Sequence, residues 1–320
     1  MPAKLSEFAL ISKFFVPLAT DAAALSLTDD ACLIEENAPR DLVVTTDALI
    51  EGVHFLYRDP PSLISRKALR VNLSDLAAKG ARPIGYLLAL ALPRDRSEQW
   101  LEAFTDGLAK DQELFALSLL GGDTAATPGP MTLAVTALGE VPPGGMIRRA
   151  GAQPGDHVFV SGTVGDAGAG LAILKGELEG GTGADFLVGR YRLPTPRLDL
   201  GMQLRGIASA ALDVSDGLIA DLGHIAEVSK VRIIIEADRI PLSPELLTLA
   251  RPGAIVGAAT AGDDYEIAFT ARSETEAVEA GRRAGVAVTR VGRVETGTGV
   301  VLLDSAAREI PVIQPGYSHF

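Results

Sequence analysis

At 320 residues the chain exceeds the length at which one hydrophobic core usually stops growing, so two domains are expected. Its 41 acidic side chains outnumber 29 basic ones, for a net charge of −12, which argues against nucleic acid as a partner. The longest apolar run, residues 84–92, is too short to cross a bilayer, Cys32 is the one cysteine, and residues 1–7 carry no apolar signal core; no membrane partner and a cytoplasmic location are expected.

In chain order, residues 7–15 read as a short helix, and residues 31–35 and 41–46 as strands around a turn at Asn37-Ala38-Pro39. Residues 62–79 predict a helix with Ser62 as its N-cap and Gly80 as its stop, burying mainly Leu63, Leu69, Val71 and Leu76 on one side. Asn72 and Asp75, at i and i+3, share a face, and Asp75 falls in the last turn, where the helix dipole disfavours an anion. A solvated pair with Lys79 is the plain alternative for Asp75. Residues 84–92 read as a strand buried on both faces and ended by Pro93, and residues 96–112 as an amphipathic helix carrying Trp100, Phe104 and Leu108. The apolar run 115–120 reads as a buried strand ending in Gly121-Gly122-Asp123-Thr124, which delivers bare backbone to a binding place. Residues 131–138 are a further strand. The Pro- and Gly-rich stretch around 142–155 marks a boundary near residue 150, giving domains 1–150 and 151–320.

The second half opens with a strand at 157–161. The small residues 162–170 then lead into a helix; they match neither a dinucleotide fingerprint nor a phosphate loop and read as close-packing positions. Helices are expected at 197–209, 217–229 and 274–284, and strands at 231–235, 266–270, 287–294 and 299–303. The alternation makes each half a layered structure of α/β (α+β) class.

Chemistry concentrates in acidic stations at Asp29-Asp30, Asp47, Asp75, Asp123, Asp213 and Asp216, with Thr45 and Thr46 offering further oxygens. Hard divalent cations require several such oxygens at once, and cations so held would let an acidic protein accept phosphates. Singly, each aspartate has a local reading: Asp29-Asp30 as a turn, Ser215 or Asp216 as the cap of a helix beginning at Gly217. Taken together they point to one multi-metal site.

The order and wording of these stations resemble thiamine-monophosphate kinase: Thr45-Thr46-Asp47 with Glu51-Gly52-Val53-His54-Phe55, the block from Lys67 to Ala81, Gly121-Gly122-Asp123-Thr124, Asp213-Val214-Ser215-Asp216-Gly217-Leu218, Gly262-Asp263-Asp264-Tyr265-Glu266, and the terminal Gly316-Tyr317-Ser318-His319-Phe320. The resemblance covers nearly the whole chain. It implies the two-domain fold of the aminoimidazole-ribonucleotide-synthetase-like superfamily, with dimerisation through the N-terminal domain. It further implies ATP-dependent phosphorylation of thiamine monophosphate to thiamine diphosphate. By resemblance, Asp30, Thr45, Thr46, Asp47, Asp75, Asp123, Asp213 and Asp216 would hold several Mg²⁺ ions. Phe115, Gly122, Asp123, Arg149 and Ser215 would contact ATP, and His54, Asp263 and Tyr317 would touch thiamine monophosphate. Without the resemblance, His54 reads as a loop histidine, Tyr317 as a tail aromatic and Arg149 as a solvated charge beside Arg148. Thr28, where the family usually has glycine, and Asp263, where many members have glutamate, depart from the pattern. A phosphate monoester has a second pKa of about 6, so its oxygen is already largely anionic at neutral pH and no residue is assigned to proton transfer. The alternatives are a purine-biosynthesis cyclase-like synthetase of the same superfamily and a non-catalytic divalent-metal-binding protein.

Overall fold

The computed structural model describes residues 28–29, 32–35, 39–249 and 253–319; the expected helix at 7–15, Ala31, Asn37, Ala38 and Asp30 lie outside them. A first sheet, in the order β1-β2-β5-β3-β4, is built from β1 (Cys32–Glu35), β2 (Asp41–Ile50), β3 (Arg82–Pro93), β4 (Ser118–Thr127) and β5 (Thr132–Val141). Only β3 and β4 run parallel in it. Among the described residues two helices accompany this sheet, α1 (Pro61–Ala78) and α2 (Glu98–Phe115).

The second half contributes β6 (His157–Ser161), α3 (Asp166–Lys175), α4 (Ala184–Arg192), α5 (Leu198–Leu204), β7 (Ala208–Asp213), α6 (Leu218–Ser229), β8 (Arg232–Glu236), α7 (Pro244–Thr248), α8 (Ala254–Thr260), β9 (Ile267–Ala271), α9 (Glu274–Arg283), β10 (Val288–Glu295) and β11 (Gly299–Leu303). Its six strands pair in the order β11-β8-β10-β6-β9-β7, with β11 and β8 the parallel pair. Among the described residues no helix is long and apolar enough to cross a membrane.

Several local expectations shift for identifiable reasons. Helix α1 begins at Pro61, whose fixed φ suits the first helical position, and Ser62 makes no capping hydrogen bond. Every α1 residue from Ile64 to Ala78 except Arg66 is buried, so the helix has no single buried side. It lies between the first sheet and the second half, and one continuous core joins Leu69, Leu73 and Val135 to Phe159, Leu200, Ala211 and Phe269. Strand β3 is not buried on both faces, since Leu87 is 41% exposed. The run 115–120 is split: Phe115 closes α2, Ala116 turns the chain at φ 52°, and β4 continues past Asp123 as an exposed edge strand. The expected helix 197–209 stops at Leu204, because Gly206 reverses the chain at φ 74° and releases residues 208–213 into β7.

The two halves are locked by close contacts on α1. Arg70 grips the fully buried Asp111 through Nε (2.6 Å) and Nη2 (3.0 Å) and donates from Nη1 to the carbonyl of Pro194 (2.9 Å). Gly201 of α5 lies so near α1 that a Cβ there would stand 1.8 Å from the Ala77 carbonyl oxygen. Alanine would gain about 1 kcal/mol of helix propensity but overpacking costs about 1–3 kcal/mol. Gly201→Ala is therefore expected to lower the melting temperature; a rise would show that helix propensity outweighs this contact.

Candidate active site

Strand β2 alternates, and its side facing α1 carries Thr45 and Asp47. The Asp47 amide donates to Asn72 Oδ1 (3.0 Å), whose own amide is anchored on the Ala68 carbonyl (2.9 Å). The Thr45 hydroxyl donates to Asp75 Oδ2 at 2.5 Å. Strand β7 brings Asp213 to the same place from the second half. Beyond it, the backbone amides of Asp216 and Gly217 both donate to Asp221 Oδ2 at 3.0 Å. The side chain that takes these amides is thus Asp221, in the first turn of α6.

This seam holds more negative charge than it neutralises. Burial, then Asp213 and Asp216, pushes Asp47 up to about 7. Burial, then Asp47 and Asp213, holds Asp75 well above the ordinary carboxylate range, against Thr45 and Lys79. Asp213 is raised by burial, and Asp221 is raised well above its usual value by burial, then by Asp216 and Asp213. Carboxylates crowded out of water cannot all ionise without cations. The protein's own cations are partly engaged: Lys79 Nζ is 2.6 Å from Asp29 and donates to the Ala211 carbonyl (3.0 Å), so the alternative of a solvated Asp75–Lys79 pair is not what forms. Arg149 is not a solvated charge. Its amide donates to Asp29 Oδ2 (3.0 Å), burial lowers its pKa, and Asp29, Asp221, Asp213 and Asp216 oppose that shift.

The donors are hard oxygens, which suits Mg²⁺ or a similar divalent ion. Among the described residues no three acidic, histidine or cysteine side chains are grouped around one point.

Two residues expected here are placed elsewhere. Thr46 points to the opposite face of the first sheet, where its hydroxyl donates to the Val135 carbonyl (2.9 Å) and accepts from Thr136 (3.1 Å). Asp123 aligns through Ala89 and Ala134 with Ala48, on that same outer face. It lies three strand spacings from β2, roughly 14 Å by ordinary sheet geometry. Gly122 needs its missing side chain, for a Cβ there would stand 1.9 Å from the Leu88 carbonyl oxygen. Phe115 packs beneath Arg70, 5.3 Å from ring centroid to guanidinium carbon.

A second group adjoins the acidic seam. His54 Nδ1 accepts the Ile50 amide (3.0 Å), and burial, then His319, lowers its pKa, leaving a neutral ring whose Nε2–H can donate. The His54 and His319 rings are 5.2 Å apart, and Tyr317 meets His319 edge-on at 4.9 Å. The backbone joins the two groups: the Asp263 amide donates to the Ser215 carbonyl (2.8 Å) and the Tyr317 amide to the Asp216 carbonyl (2.9 Å). Asp263 and Tyr265 both sit at positive φ, 69° and 52°, so residues 262–265 are held in a shape their side chains do not favour.

The model of AIR synthase related proteins matches the chain twice, its N-terminal domain over residues 28–141 and its C-terminal domain over 153–305. The thiamine-monophosphate kinase of Caulobacter vibrioides is 44% identical over 303 residues, covering 92% of this chain and 86% of that one. The crystal structure of the thiamine-monophosphate kinase from Stenotrophomonas maltophilia K279a is 44% identical, with TM-score 0.78 over 93% of this chain and 96% of that one. AaThiL complexed with AMPPCP and TMP superposes with TM-score 0.87 at 33% identity over 100% of both chains. The chain belongs to the thiamine-monophosphate kinase family of the AIR synthase related proteins.

Sequence reasoning did not single out Asp221 or Lys67. The signal for Asp221 was one acid in an otherwise apolar first helical turn, Leu218-Ile219-Ala220-Asp221, behind a glycine with no side chain to cap with. The raised Asp47 gives a testable sign. An acid whose pKa is about 7 folded and 3.8 unfolded supports folding fully below 3.8 and loses that support as pH rises through 7. In metal-free protein, Asp47→Asn is expected to gain stability over wild type at pH 8 more than at pH 5. Denaturation at the two pH values in chelator checks this; an equal difference at both would contradict it.

Proposed function

We propose that this protein transfers the γ-phosphoryl group of ATP to thiamine monophosphate, giving thiamine diphosphate and ADP. The observation that carries the reading is the surplus of buried and half-buried carboxylates at Asp47, Asp75, Asp213 and Asp216, joined by backbone hydrogen bonds to the His54, Asp263 and Tyr317 group. The kinship with proteins named thiamine-monophosphate kinase, and with AaThiL complexed with AMPPCP and TMP, supports the same substrates.

We assign divalent-cation binding to Asp30, Asp47, Asp75, Asp213 and Asp216, with Thr45 orienting Asp75 through its hydroxyl. Bound Mg²⁺ would offset the charge of the anionic acceptor and of the ATP tail and align them for in-line transfer. Arg149 supplies a fixed cation beside the same carboxylates, Ser215 and Gly122 form backbone-rich edges for the nucleotide, and Phe115 stands as its aromatic neighbour. Neutral His54 would donate from Nε2 to the acceptor molecule, with Asp263 and Tyr317 on its flanks. No general base is needed, because the acceptor monoester ionises with a pKa of about 6.

Asp123 and the Thr46 side chain face outward, so they reach a cation only where that outer face becomes part of the site. We place a second copy of the chain there. Edge strand β4 is open, and Leu87, Leu119 and Leu120 are 41%, 48% and 58% exposed. We put the division between the two domains near residue 150, in the stretch between β5 and β6, and the protein in the cytoplasm.

The decisive experiment is ATP turnover with thiamine monophosphate and with thiamine, with Mg²⁺ and with chelator. Thiamine diphosphate is expected only from the monophosphate and only with metal; phosphorylation of thiamine alone would reject the assignment. Asp75→Asn and Asp216→Asn keep shape and discard charge, and each is expected to lose roughly a hundredfold to a thousandfold in rate with no loss of metal-free melting temperature. A structural metal-binding protein would bind its ion equally with and without ATP. For the assembly, sedimentation should give twice the chain mass and Leu120→Lys should lower it; a concentration-independent monomer of the unaltered chain would exclude the dimer.

A further inference from the structure

The substrate-side group draws on both halves of the molecule, and one buried lysine touches each. Lys67 rises from α1 with its side chain only 2% exposed. Its Nζ donates to the His54 carbonyl (2.9 Å), lies 3.3 Å from Asp263 Oδ1, and stands 3.7 Å above the centre of the Tyr191 ring. The Tyr191 hydroxyl donates to the same His54 carbonyl (3.3 Å), and the neighbouring Arg192 pairs with Asp59 at 2.6 Å. His54 and Asp59 belong to the loop after β2, whereas Tyr191, Arg192 and Asp263 belong to the second half. The ammonium is therefore the point at which two separately folded loops are brought to one spacing.

We infer that Lys67 is a positioning residue for the phosphate acceptor: it holds the Asp263 carboxylate and the His54 backbone, from opposite halves, at the separation the acceptor requires. The inference rests on the reading that His54 and Asp263 contact thiamine monophosphate.

Stability alone gives a weak reason for this charge. A buried ion pair usually gains little over apolar packing, and a methionine would fill the same channel beside Tyr191. Asp263 is 26% exposed on its side chain, so water can solvate it once the lysine is gone. What the ammonium does provide is direction. Asp263 sits at φ 69°, fixed through its amide to Ser215, and Lys67 sets where one of its carboxylate oxygens points. Burial lowers the Lys67 pKa, and Asp263 and then Asp59 oppose that shift.

The test is a double-variant cycle on the full-length protein. Lys67→Met, Asp263→Asn and the double variant are assayed for KM toward thiamine monophosphate and toward ATP, with a melting curve for each. Lys67→Met is expected to fold and to raise KM for the monophosphate roughly tenfold or more while KM for ATP changes by less than about twofold. In the Asp263→Asn background the lysine substitution is expected to add much less than it does alone, since only the His54 carbonyl is then left to release. Equal rises in both KM values, or full additivity in the double variant, would overturn the inference while leaving Asp263 as a substrate contact. An Asp263→Asn enzyme with unchanged KM for the monophosphate would instead remove the substrate reading of Asp263, and the role of Lys67 with it. Should Lys67→Met fail to fold, Lys67→Gln, which can still donate to the His54 carbonyl without charge, is read in the same cycle with the same expectations.

Discussion

Four carboxylates, Asp47, Asp75, Asp213 and Asp216, meet along a buried seam between β2, α1 and the end of β7, and most features of the structure answer to that crowding. Neighbouring anions in a medium poorer in water than the surface raise one another's pKa values, and burial raises them further. A core built only for stability would not assemble such a set. Lys79 and Arg149 enter the seam from the end of α1 and from the interdomain segment, and both meet Asp29. Asp221 draws in the two backbone amides of the turn before α6. The charge left over is what divalent cations and a polyphosphate would complete.

Holding repelling groups together requires a rigid frame, and α1 supplies it. The helix is surrounded on nearly every side, so it belongs to both halves at once. Arg70 ties it to Asp111 and Pro194, Gly201 lets α5 approach to backbone contact, Asn72 and Asp75 face β2, and Lys67 reaches the substrate-side loops. Behind residues 262–265 a second buried network clamps the strained loop. Asp264 accepts the Gly165 (2.5 Å) and Ala167 (3.1 Å) amides, and Glu266 binds Arg190, Arg197 and the Ser161 hydroxyl. These bonds hold Asp263 and Tyr265 at backbone angles that neither would adopt by itself.

Much was determined by the sequence itself. Strand and helix periodicity located β2, β6, α6, α9 and β11 to within a few residues, and the acidic stations with their flanking words marked the family and the seam. Hydrophobic period and short-range chemistry are local properties, and they survive being read one segment at a time. The places where that reading failed are those where burial comes from elsewhere in the chain. Leu87 and Leu120 are apolar yet open, because none of the described elements closes over them. Polar residues of α1 are buried by partners distant in sequence: Lys67 under Tyr191 and Asp263 of the second half, Asn72 and Asp75 against β2. Tertiary structure alone decided that Thr45 and Asp47 face α1 while Thr46 and Asp123 face outward, since a strand's face is fixed only by register with its neighbours. It also decided that Asp221 rather than Asp216 takes the amides at the start of α6, and that Lys67 meets Asp263 across nearly two hundred residues of chain. Spacing along a sequence carries no information about such distances; packing sets them.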